Sequence, residues 1–82
     1  MSGSDKVKET FGNEIRQKRR ELHCTQQEIA LRCDMSTRFY QYLEKGTRTP
    51  SLVTIFRLAD ALETDPCSLI ETSWKKWKKK KK

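Results

Sequence analysis

The 82-residue chain has no stretch approaching the run of about 18 apolar residues that a membrane-spanning helix requires, so no transmembrane segment is expected. Its opening, MSGSDKVKET, is polar and lacks the apolar region of a secretory signal, which points to a cytoplasmic protein. Histidine occurs once, as His23. The three cysteines, Cys24, Cys33 and Cys67, are odd in number and show no CxxC spacing. A tetrahedral metal site therefore lacks ligands, and buried free thiols in a reducing compartment are the expectation. The sequence has no His/Asp/Ser set, no glycine-rich phosphate loop and no carboxylate pair with a partner base. Neither an enzyme nor a metal or cofactor site is expected. Alternation of period two never persists, so no strand is expected either.

The chain does have charge, unevenly placed. The net charge is +7, and seven of the 18 basic residues are the lysines at 75, 76 and 78–82. Residues 1–73 are left neutral, with 11 basic groups against 11 acidic ones. Inside that body, residues 1–58 carry 11 bases and seven acids, while residues 59–73 carry four acids and no base. An anionic partner suits the earlier part.

Helical spacing accounts for the rest, giving an all-α, compact five-helix bundle in one domain over residues 1–73. The first helix spans about Val7 to Leu22, with Phe11, Ile15 and Leu22 on one stripe; Arg19 falls on that stripe too, and Gly12 weakens it slightly. Thr25-Gln26-Gln27-Glu28 reads as a capping box opening a second helix, Gln26 to Cys33, with Ile29, Ala30 and Cys33 inward. Asp34-Met35 breaks it, Ser36 caps a third helix over Thr37 to Glu44, and Gly46 occupies the left-handed stop position. Thr49-Pro50 signals the start of a fourth helix with Leu52, Ile55, Phe56, Ala59 and Leu62 at helical spacing. Asp65-Pro66 repeats the signal for a fifth carrying Leu69 and Ile70. Residues 74–82, WKKWKKKKK, form a low-complexity tail expected to be disordered, although Trp74 and Trp77, three apart, can extend the fifth helix by a turn.

Helices two and three are too short to bury much surface but suited to presenting side chains at a fixed angle. In the third, Tyr40 and Leu43 share the inward face, which turns Thr37, Arg38, Gln41 and Tyr42 outward. Gln26, Lys45 and Arg48 surround that face. Such an array suits a nucleic-acid duplex, with central side chains at base edges and flanking ones on phosphates. Phe39, beside Arg38, is placed on the core rim, with a thymine methyl group as its alternative contact.

Arg19, "TQQEIA" at 25–30, "LEKG" at 43–46, "PSL" at 50–52 and "LADAL" at 58–62 together resemble the lambda-repressor-like (XRE/Cro) helix-turn-helix family over roughly Phe11 to Ile70. The "TRTPSL" loop is most similar to the restriction–modification controller proteins and small stand-alone repressors. The resemblance implies a sequence-specific, nucleoid-associated transcriptional regulator that reads operator DNA through helix 37–44 in a major groove. It assigns base contact to Thr37, Arg38 and Tyr42, and Gln41, on the same face, is expected to contact bases as well. It assigns phosphate contact to Gln26, Lys45, Thr47 and Arg48, and makes Arg19 and Glu44 a structural ion pair. Asp34 stands where the family often has glycine, and Tyr42 where smaller or amide side chains are common. Half-sites one helical turn apart, about 34–36 Å, call for a homodimer, with Leu69, Ile70 and Trp74 as contact candidates. The competing readings are the antitoxin of a toxin–antitoxin pair and, from the tail, a membrane-active peptide; the tail also adds non-specific anionic attraction.

Overall fold

A computed structural model describes residues 3–80, which form five helices: α1 (Gly3–Glu21), α2 (Gln26–Arg32), α3 (Thr37–Lys45), α4 (Leu52–Ala61) and α5 (Pro66–Lys80). No strand occurs among the described residues. The short helices begin where their caps dictate. The Glu28 N–H donates to Thr25 Oγ1 at 3.0 Å while the Thr25 N–H donates to Glu28 Oε1 at 2.7 Å, closing both halves of the capping box. Cys33 ends α2, and Asp34, at φ 57°, turns the chain through the left-handed region, which Asp tolerates better than most residues. Ser36 Oγ then accepts the Phe39 N–H at 3.0 Å to start α3. Gly46, at φ 78°, ends it.

α4 starts later than the Thr49-Pro50 signal. Its cap is Ser51, whose hydroxyl accepts the Thr54 N–H at 3.1 Å, so Pro50 remains in the loop. α5 begins as expected, with Asp65 Oδ1 accepting the Ser68 N–H at 2.9 Å. It then continues through Trp74 and Trp77 to Lys80, so residues 74–80 are helical where a disordered tail was expected. Positions 81 and 82 of that tail lie outside the described residues.

The core gathers Phe11 and Ile15 of α1, Ile29 and Ala30 of α2, Cys33, Tyr40 and Leu43 of α3, Leu58 and Ala59 of α4, and Leu69 of α5. α1 crosses both α3 and α5, and the Ser73 hydroxyl donates to the Val7 carbonyl at 3.3 Å where α5 lies on α1. Gly12 is more than a weak point in α1. A Cβ there would lie against the carbonyl oxygens of Leu43 and Glu44, so the missing side chain is what lets α1 seat on the end of α3.

Three expectations about burial are corrected. Leu69 is completely buried, because α5 turns it into the core and presents its neighbour Ile70 outward; it has no surface for a second chain. Leu52 and Phe56 face solvent, and the inward stripe of α4 runs through Ile55, Leu58, Ala59 and Leu62 instead. Cys33 is buried and its thiol is pushed up to about 11 by that burial, but Cys67 is exposed on the first turn of α5.

Candidate nucleic-acid interface

Tyr40 and Leu43, both within 1% of full burial, fix the rotation of α3 about its axis. The opposite side then carries Arg38, exposed, with Thr37, Gln41 and Tyr42 half-buried beside it. Phe39 is partly buried and packs against the core, which places it on the rim.

The chain leaving α3 doubles back on this face. The Thr47 hydroxyl donates to the Tyr42 carbonyl at 3.2 Å, and the Arg48 guanidinium lies over the Tyr42 ring, 5.3 Å from its centroid. A residue of the expected base-contacting set thus carries one of the expected phosphate-contacting set. Lys45 and Arg48 are both exposed. The turn that brings them here needs Gly46, whose left-handed φ and close approach to the Glu9 backbone leave no place for a side chain.

Behind α3, Glu44 is 2% exposed and is the centre of a polar cluster. Arg19 grips it with two bonds, Nε to Oε2 at 2.6 Å and Nη2 to Oε1 at 3.2 Å, and spends Nη1 on the Cys24 carbonyl at 3.0 Å. Gln26 Nε2 donates to Oε1 at 3.0 Å. Arg16, which no sequence motif singles out, donates from Nη2 to the Glu44 carbonyl at 2.9 Å and brings Nε to 3.6 Å from Oε1. Burial by itself would raise the Glu44 carboxyl. The hydrogen bonds from Arg19 and Gln26, with the charge of the Arg19 guanidinium, outweigh it and hold the group below the ordinary carboxylate range. The same Glu44 bond raises the Arg19 guanidinium against its own desolvation. Burial and the neighbouring carboxylate together keep the Tyr40 phenol protonated.

Gln41 sits differently from expectation. Its Nε2 donates to Gln26 Oε1 at 3.0 Å, so the amide is engaged with α2 rather than turned wholly outward with Arg38. Of the proposed dimer residues, Ile70 and Trp74 are exposed, at 41% and 57%, together with Leu52, Val53 and Phe56 of α4. An apolar groove of about 480 Å³ runs beside them, lined by Val7, Phe11, Pro50, Ile55, Ile70 and Trp74 among others. Among the described residues no group of His, Cys, Asp and Glu is placed to hold a metal ion, and no helix is long and apolar enough to cross a membrane.

Two capped helices set at a fixed angle, the second braced from behind and lined outward with hydrogen-bonding side chains, define a DNA-binding helix-turn-helix domain. Residues 15–69 match the helix-turn-helix family HTH_3, of the XRE/lambda-repressor type, and the chain belongs to that family. It is 31% identical over 64 residues to the HTH-type transcriptional regulator y4dJ of Sinorhizobium fredii, a match covering 78% of this chain and 83% of that one. It is 29% identical over 69 residues to the control protein C.BamHI of Bacillus amyloliquefaciens, covering 83% and 85% respectively. The crystal structure of the restriction–modification controller protein C.AhdI from Aeromonas hydrophila superimposes with a TM-score of 0.73 at 31% identity, covering 74% of this chain and 92% of that one. The protein is a sequence-specific DNA-binding transcriptional regulator, and double-stranded DNA is the partner of its family.

Proposed function

We propose that this regulator reads its operator by inserting α3 into a major groove, with Thr37, Arg38 and Tyr42 at base edges. Gln26, Lys45, Thr47 and Arg48 meet the flanking phosphates. The observation that carries this reading is the placement of Arg38: exposed at the first turn of a helix whose opposite side is locked by Tyr40, Leu43 and Glu44. A guanidinium held that way matches the two acceptors of a guanine edge. The protein acts by binding and not as an enzyme, in the cytoplasm on the nucleoid.

It does so as a homodimer. One helix covers too few base pairs for an operator, and a two-fold pair sets two half-sites about 34–36 Å apart. The exposed apolar side chains Leu52, Val53 and Phe56 of α4, with Ile70 and Trp74 of α5, supply the self-complementary contact. Similarity to C.BamHI and C.AhdI supports a controller type of regulator.

The test is selection of bound duplexes from a random pool by the full chain. Recovery of a two-fold symmetric sequence with half-sites one helical turn apart supports the reading. Recovery of no consensus, with affinity depending on salt alone, refutes it.

A further inference from the structure

α2 and α3 are joined by two side-chain amides in series. Gln41 Nε2 donates to Gln26 Oε1, and Gln26 Nε2 donates to Glu44 Oε1, each at 3.0 Å. The direction of this relay follows from its anchor. An ionised carboxylate only accepts, so Gln26 must turn its NH2 group to Glu44; its carbonyl then faces Gln41, which must answer with an NH2 group of its own. Glu44 is held in turn by Arg19 at 2.6 Å, so the relay is fixed at its inner end to α1. With these bonds made, the Gln26 amide retains one N–H.

We propose that Gln41 is a positioning residue for DNA binding, acting through Gln26 and not through a base. Held at both ends of its amide, Gln26 has its rotamer freedom removed before DNA arrives, and its remaining N–H is aimed at one place. A glutamine left to sample its rotamers would lose that freedom on binding instead, at a cost in affinity. Gln41 also ties the start of α2 to the middle of α3, which sets the phosphate contact in register with the base-reading face. The proposal rests on the reading of Gln26 as a phosphate contact.

The experiment measures affinity of the full chain for its selected duplex, for the parent, Gln26→Ala, Gln41→Ala and the double variant. Duplex selection is repeated on Gln41→Ala, and thermal unfolding is followed throughout. The expected losses are about tenfold for Gln26→Ala and about threefold to fivefold for Gln41→Ala. Gln41→Ala should select the same consensus as the parent and should cost nothing further once Gln26 is alanine. Gln41→Met, which keeps the stem and removes the amide, should behave as Gln41→Ala does and serves in its place if the alanine variant unfolds. Losses that multiply in the double variant, or a preference relaxed at one base pair in Gln41→Ala, would show that Gln41 touches DNA itself and overturn the proposal alone. A silent Gln26→Ala would overturn the phosphate reading and the proposal with it.

Discussion

Arg19 reaches Glu44 with Nε at 2.6 Å across the contact between α1 and α3, and the two side chains are 12% and 2% exposed. An arginine on the apolar stripe of a core helix is costly without a partner, and here the partner comes from the last turn of the recognition helix. The pair thus does two jobs: it neutralises a buried charge and fixes the rotation of α3. Removing one member leaves the other buried and unpaired, so Glu44→Ala should destabilise the fold by about 3–5 kcal/mol in denaturant unfolding. A cost near zero would mean that Arg19 turns outward into water.

The same carboxylate predicts a pH dependence. Its pKa is lowered in the folded protein from an ordinary value of 4.5, so its stabilisation is fully present above that value. As pH falls below about 4.5 and through the lower native value, the contribution is lost. Glu28 and Asp65 are lowered too, each by accepting a backbone N–H at a helix start, and add to the same acid limb. The stability gap between the parent and Glu44→Gln isolates Glu44. It should be constant from pH 5 to 7 and narrow on acidification.

Gly12→Ala tests a contact invisible to helix propensity. Alanine improves an isolated helix by about 1 kcal/mol. Here the added methyl meets the Leu43 and Glu44 carbonyls, which are backbone and cannot swing aside. The variant should therefore lose roughly 1–3 kcal/mol, measured by chemical denaturation. A gain in stability would show that the α1–α3 contact relaxes freely.

Arg48 over the Tyr42 ring predicts a split between two substitutions. Tyr42→Phe keeps the aromatic face and should leave the salt dependence of DNA binding unchanged while altering base preference if the hydroxyl is used. Tyr42→Ala removes the platform and should reduce the salt slope by about one phosphate contact. Equal slopes for both variants would separate Arg48 from the phosphate strand.

Much of the fold was legible because its signals are local. Thr25 with Glu28, Ser36, Gly46 and Asp65 each act within a few residues, and each bounds a helix where expected. The start of α4 was misplaced because Thr49-Pro50 and Ser51 both look like caps, and only the fold decides which oxygen meets an N–H. Leu69 and Ile70 are adjacent apolar residues, and sequence spacing did not say which would face inward. The exposure of Arg38 on α3 was legible from the inward pair Tyr40 and Leu43, whereas the engagement of Gln41 with α2 was not. The Gln41–Gln26 bond, the Arg16 contact and the role of Gly12 join residues 15, 28 and 31 or 32 positions apart. No local pattern announces such contacts.

The apolar side chains left outside give a further expectation. Phe56→Glu and Trp74→Glu place charge on the exposed faces of α4 and α5 without entering the core. Each should shift the protein to monomer in analytical ultracentrifugation while leaving its helical circular dichroism intact. A dimer that survives both changes would place the contact elsewhere.

The most direct measurement is the affinity of Arg38→Ala for the selected operator and for random duplex at matched salt. The recognition-face account predicts a loss of about 1–3 kcal/mol on the operator and little change on random DNA, so that discrimination falls while the fold is kept. Equal losses on both duplexes, or none on either, would contradict it.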